Sequence, residues 1–143
     1  MDKKYDLAKL LQKALELENA AYVQYLSHAA IVSNQNSLPI EAHLRETAED
    51  EAKHAEILRQ LLGNYLTQYP SMKIADTQEA IDISSALRAD VKSETAAIEH
   101  YKKTLKYIED NKDLKFYNTM WEKIRQILIE EEEHLVELEM IQG

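Results

Sequence analysis

Apolar residues recur along this chain in alternating steps of three and four. One stripe contains Leu7, Leu11, Ala14, Glu18, Ala21 and Tyr25. A second contains Ile40, Leu44, Thr47, Glu51, His54, Leu58 and Leu61. A third runs through Ile83, Leu87, Asp90, Glu94, Ala97 and Tyr101, and a fourth through Tyr117, Met120, Ile124, Ile127, Glu131, His134, Leu138 and Ile141. That period marks the buried face of a helix in a bundle. It predicts four long helices, from about Lys4 to Ser33, from the residues after "NQNS" to about Leu66, from about Gln78 to Glu109, and from about Leu114 to Ile141. Pro39 falls in the first turn of the second helix, where its missing N–H costs nothing. Asp113, in the loop "DNKD", is placed to cap the fourth.

Gly and Pro occur only twice each, which agrees with an all-α chain. The first and last connections are short, so each joins an antiparallel helical hairpin. The middle stretch, "TQYPSMKIADT", reaches roughly 35 Å when extended, close to the roughly 42 Å length of the second helix. It predicts one long crossover between helices two and three. At 143 residues the expectation is a single domain over 1–143.

Composition narrows the function. There is no cysteine, hence no disulfide, thiolate metal site or thiol nucleophile. Seventeen basic against 26 acidic residues give a net charge of −9, which disfavours a nucleic-acid partner. "MDKKYDLAKL" lacks the apolar core of a signal peptide. "AAYVQYLSHAAIV" carries Gln24, Ser27 and His28 and is too short to span a bilayer. The expectation is a cytoplasmic protein with no membrane segment.

The polar residues within the stripes carry the chemistry. Each stripe has a Glu near its middle, and two have a His three residues later. A buried carboxylate costs several kcal/mol unless it is protonated or paired, and the stripes offer no Lys or Arg. Two divalent cations would balance four carboxylates. Carboxylate and imidazole ligands suit iron or manganese, and zinc is tolerated. Residues i and i+3 share a helix face, so Glu51 and His54 can approach one ion, and Glu131 and His134 another. Glu18 and Glu94 can bridge or cap the pair, the arrangement established for di-iron carboxylate bundles. A single Glu-x-x-His is a weak signal whose bland reading is a solvated helix face. Two of them at mid-stripe, with a lone Glu on each remaining helix, are far more specific.

The chain also repeats. "ENAAYVQY" (18–25) and "ETAAIEHY" (94–101) share the pattern E-x-A-A-x-x-x-Y, so the two halves read as copies of one hairpin. Tyr25 and Tyr101 correspond. Helical side chains lean toward the N-terminus, so each Tyr leans back toward the Glu layer, where it can bond a carboxylate from another helix or simply any buried acceptor. His28, His43 and His100 read as ordinary helix residues beside the stripes or on exposed faces. In the run Glu130–Glu133 only Glu131 is on the stripe; Glu130, one turn before His134, is its alternative. Trp121 reads as a residue of a core edge or subunit interface.

On Glu18, Tyr25, "EDEAKHAEIL", Glu94 and "EEEEHLVELE", the chain resembles the ferritin-like superfamily, bacterioferritin most closely and rubrerythrin next. The resemblance implies a ferritin-like antiparallel four-helix bundle with one long crossover. It implies two iron ions per chain, held by Glu18, Glu51, His54, Glu94, Glu131 and His134, with Tyr25 and Tyr101 as candidate catalytic residues. It further implies ferroxidase activity, the oxidation of ferrous iron by dioxygen or hydrogen peroxide for storage or detoxification, in a homo-oligomer that is a dimer or a cage. The haem-ligating Met of bacterioferritin directly follows the helix-two Glu; Ala52 stands there, so no haem is expected at that place. Two alternatives remain: a rubrerythrin-like peroxide reductase fed by an external electron donor, and a non-catalytic, metal-stabilised helical oligomer.

Overall fold

The computed structural model describes residues 2–33 and 36–143. Four helices dominate: α1 Lys3–Ser33, α2 Leu38–Gln60, α3 Ile83–Glu109 and α4 Tyr117–Gln142. The "NQNS" connection lies partly outside the described residues. α1 packs against α2 and α3, and α4 against α3 and α2. Cross-helix bonds fix the directions. Lys3 pairs with Asp113, the His100 ring bonds the Leu10 carbonyl, Tyr101 reaches Glu18, and Gln24 reaches Asp90. From the Lys3–Asp113 end to the Gln24–Asp90 end the numbers climb on α1 while they drop from 113 to 90 on the other side, so α1 and α3 are antiparallel. None of the helices is long and apolar enough to cross a membrane.

Helix ends differ from the expected ones for local reasons. α2 does not continue as α-helix to Leu66 but widens into one π-helical turn, Leu61–Tyr65. α3 starts at Ile83, not near Gln78, because Asp82 and Ser85 form a reciprocal capping box. The Ser85 N–H donates to Asp82 Oδ1 at 2.8 Å, and the Asp82 N–H donates to Ser85 Oγ at 3.2 Å. Asp113 is not the cap of α4. That helix begins at Tyr117 behind Phe116, with no side-chain cap. The Asp113 carboxylate accepts from Lys3 Nζ at 2.9 Å instead, tying the start of α1 to the α3–α4 loop.

The crossover is longer than the stretch 67–77 and occupies residues 66–82. Extended, it could reach about 55 Å, ample for the 23 residues of α2. It climbs α1 on polar rungs that satisfy its own backbone. Gln12 bonds the Tyr69 carbonyl and the Ser71 N–H, the Ala75 N–H reaches the Glu16 carbonyl, and the Gln78 N–H reaches Gln24 Oε1 at 2.8 Å.

The core is split into two. Leu7, Leu11, Leu58, Ile124 and Ile127 belong to one apolar cluster, with Trp121 at its edge. Val32, Leu44, Ala48, Leu87 and Leu138 belong to the other. Each fully buried aliphatic side chain contributes roughly 1.5–3 kcal/mol. Between the clusters lies a layer of polar side chains.

Candidate metal centre

Every residue singled out on the four stripes for metal binding lies in that layer, and all six are buried: Glu18, Glu51, His54, Glu94, Glu131 and His134. Each helix delivers its residues because the three-and-four step turns them inward with the aliphatic stripe. Ligand atoms of Glu18, Glu51, His54 and Glu131 lie within 4.8 Å of one another, as do those of Glu51, Glu94, Glu131 and His134. The two groups overlap at Glu51 and Glu131. The shared carboxylates therefore come from the helices that carry the histidines, while Glu18 and Glu94 each belong to one group only.

Both imidazoles turn Nδ1 inward. His54 Nδ1 is 3.4 Å from Glu18, 3.3 Å from Glu51 and 3.4 Å from Glu131. His134 Nδ1 is 3.4 Å from Glu51, 3.0 Å from Glu94 and 3.1 Å from Glu131. The outer nitrogens are held as well. His54 Nε2 donates to Glu130 Oε1 at 2.9 Å, and His134 Nε2 donates to Asp50 Oδ2 at 3.0 Å. An ionised carboxylate can only accept, so Nε2 keeps its proton, and it is the inward Nδ1 that would give up its proton to leave a lone pair for an inward ligand. Glu130 is thus the outer partner of His54, and Glu131 the inward residue. Asp50 was missed in the sequence. Its signal is the acid that directly precedes each motif Glu: Asp50 before Glu51, Glu130 before Glu131.

The electrostatics fit a cation. Among the described residues, Glu18 Oε1, both Glu51 oxygens, Glu94 Oε2 and Glu131 Oε2 are buried without a hydrogen-bond partner. Buried polar atoms are almost always satisfied, so such a cluster of free acceptors asks for a bound group. Burial and then the Glu131 charge raise Glu51 and Glu94 well above the carboxylate range, and raise Glu18 to about 7. Burial would lower both imidazoles, but their carboxylate neighbours outweigh it and hold them far above normal. Burial would likewise raise Glu131, yet its bonds to His134 and His54 bring it well below normal. Metal-free, the layer neutralises itself with protons.

The tyrosines are not equivalent. Tyr101 OH donates to Glu18 Oε2 at 2.6 Å, from α3 to α1. Tyr25 OH is buried with no hydrogen-bond partner among the described residues. Its counterpart acceptor, Glu94, lies instead against His134 at 3.0 Å. Burial, followed by nearby carboxylate charge, raises both phenols.

Two of the histidines set aside are not peripheral. His28 is buried. Its Nδ1 meets Asp90 Oδ1 at 2.8 Å and its Nε2 the Gln78 carbonyl at 2.7 Å, which explains the acid at stripe position 90. Burial would lower His28, but the Asp90 bond raises it. His100 is also buried, and burial lowers it although it bonds the Leu10 carbonyl. Neither belongs to the two groups of candidate metal ligands. Trp121 sits at the core edge and donates to Glu109 Oε2 at 2.9 Å.

Comparison with known proteins agrees with this architecture. The chain is 30% identical over 125 residues to the bacterial ferritin of Neisseria meningitidis serogroup B, covering 87% of this chain and 78% of that one. The bacterial ferritin of Neisseria gonorrhoeae matches to the same extent. A ferritin-like, diiron-carboxylate protein from Bacillus anthracis str. Ames has the same fold, with a TM-score of 0.91 at 21% identity over 100% of this chain and 99% of that one. Residues 8–142 match the ferritin-like domain family, to which this chain therefore belongs.

Proposed function

We propose that this protein binds two iron ions and oxidises ferrous iron with dioxygen or hydrogen peroxide. The observation that carries the reading is the overlap of the two ligand groups at Glu51 and Glu131. Glu51 and Glu131 would be shared between two ions, and a pair of ferrous ions held there would supply two electrons to one oxidant. Glu18 with His54 would complete one position, and Glu94 with His134 the other. The chain's own contribution is to fix both imidazole tautomers through Asp50 and Glu130, to hold Glu18 through Tyr101, and to bracket the layer between two apolar clusters. Manganese or zinc would fit the same ligands. A homo-oligomer in the cytoplasm, dimer or cage, completes the proposal; exposed Tyr69, Met72, Ile74 and Ile81 on and beside the crossover suit a second copy.

Anaerobic titration with ferrous ion, followed by air, tests the reading. The expected result is oxidation faster than in buffer alone, saturating near two ions per chain. Glu51→Ala and Glu131→Ala should empty both positions, and Glu18→Ala or Glu94→Ala one. Oxidation no faster than in buffer, with metal still bound, would leave a reductase fed by a separate donor or a purely structural metal. Unchanged metal content in all four variants would dispose of the ligand set.

A further inference from the structure

The repeat E-x-A-A-x-x-x-Y contains two alanines per copy that neither metal binding nor the tyrosines account for. The structure places all four, Ala20, Ala21, Ala96 and Ala97, around one cavity of about 150 Å³ between α1 and α3. A volume of that size holds several waters. Buried Glu18, Glu51, Glu94 and Glu131 also line it, and so do the exposed Asp76 of the crossover and Lys92 of α3. A single space therefore joins solvent-facing charges to carboxylates that are at most 1% exposed.

We propose that this cavity is the route by which a hydrated divalent cation reaches the metal centre. The inference rests on the reading of the centre as a metal site. The alanine pairs are the smallest side chains that keep the helices intact, and they leave a gap where leucine would close it. The floor presents the unpartnered carboxylate oxygens described above. At the mouth Asp76 attracts a cation and Lys92 opposes it, so the pair sets the rate of capture. Gln24 holds the mouth in shape. Its Nε2 donates to Ser93 Oγ at 2.9 Å and to Asp90 Oδ1 at 3.0 Å, while its Oε1 accepts the Gln78 N–H. The crossover is thereby pinned to α1 and α3 beside the opening.

Loading with cobalt ion alone, followed by stopped-flow absorbance and by elemental analysis at equilibrium, tests the route without requiring oxidation. Asp76→Asn should slow loading by about threefold at 0.1 M ionic strength, and Lys92→Gln should speed it by a similar factor, as expected for one charge acting on a dication at short range. Both differences should shrink as salt is raised. Ala21→Leu and Ala96→Leu, at partly exposed and exposed positions, should slow loading at least as much while leaving final cobalt content and helicity unchanged. If a leucine variant loses helicity, the two surface-charge variants still decide the matter. Wild-type loading rates in Asp76→Asn and Lys92→Gln, with full final content, overturn the route alone. Leucine variants that load cobalt normally but oxidise ferrous ion slowly also overturn it, since the cavity would then carry the oxidant. A wild-type chain that takes up no cobalt at equilibrium overturns the metal reading itself, and the route with it.

Discussion

Filling the centre with metal must expel protons. Near pH 7 both imidazoles carry a second proton, because carboxylate neighbours hold them far above normal despite burial. Burial and then the Glu131 charge raise Glu51 and Glu94 well above the carboxylate range, which favours their protonated forms. Glu18, raised to about 7, is half protonated, and Glu131 is ionised. A divalent ligand set requires these protons to leave, so loading should release more than about one proton per ion. Apparent affinity per ion should then rise by more than about tenfold per pH unit around neutrality. Calorimetric titration with cobalt or zinc in buffers of different ionisation enthalpy reads the number directly. The same groups set the stability of the metal-free chain with the opposite sign. Their folded values lie above the unfolded ones, so the folded chain keeps protons that the unfolded chain has lost. Stability is therefore greatest below about pH 4.5 for the carboxylates and below about 6.5 for the imidazoles, and declines as pH rises through the folded values. Glu18 alone accounts for about 3 kcal/mol between pH 4.5 and 7. Glu131 acts the other way, but only below about pH 4.5. Thermal unfolding should thus show the metal-free form weakening and the loaded form strengthening from pH 5 to 8. Release of fewer than about one proton per ion, or parallel pH trends in both forms, would refute the proposed protonation of the layer.

Three further outcomes follow from single contacts. Asp50→Asn and Glu130→Gln should each weaken zinc binding by about 10- to 100-fold with helicity intact, because each loosens the tautomer of the histidine it holds; competition with a chelator measures this. Tyr101→Phe should destabilise the metal-free chain by about 1–3 kcal/mol in a denaturant titration, since Glu18 Oε2 loses its donor, whereas Tyr25→Phe, which removes an unpartnered hydroxyl, should cost nothing or stabilise. His28→Ala should cost about 3–5 kcal/mol by stranding buried Asp90, yet leave metal content unchanged; a lost ion would show that His28 acts on the centre after all.

Much of this was legible because a long helix repeats one rule at every turn. The four stripes placed both apolar clusters and the six inward residues of the centre, since whatever replaces a Leu in a three-and-four pattern must face the same way. The end signals were weaker. Asp113 has the composition of a cap, but a lysine more than a hundred residues away competes for its carboxylate, and only the closed bundle brings Lys3 there. Asp82 caps α3 as its sequence permits, but the preceding "TQEA" reads as helix until the crossover is seen to need those residues as extended chain. Asp50 and His28 lie off the stripe, so periodicity marks them as surface. Their burial or pairing depends on a neighbouring helix. Which of four carboxylates would be shared was equally beyond spacing, because i, i+3 geometry fixes which residues share a helix face and not how two faces meet.

The pairing of the layer has a consequence for folding. Both outer bonds of the histidines cross from one hairpin to the other: His54 of α2 depends on Glu130 of α4, and His134 of α4 depends on Asp50 of α2. The Tyr101 bond to Glu18 crosses in the same way, from α3 to α1. Neither hairpin can therefore orient its own imidazole, and neither contains a complete set of ligand candidates for one ion. The apolar clusters must bring the hairpins together first, with the carboxylates protonated enough to tolerate burial. A metal arriving afterwards would exchange those protons for ligand bonds and stabilise the docked state by mass action. The carboxylate layer would thus cost stability in the empty bundle and reinforce the docking of the hairpins once filled.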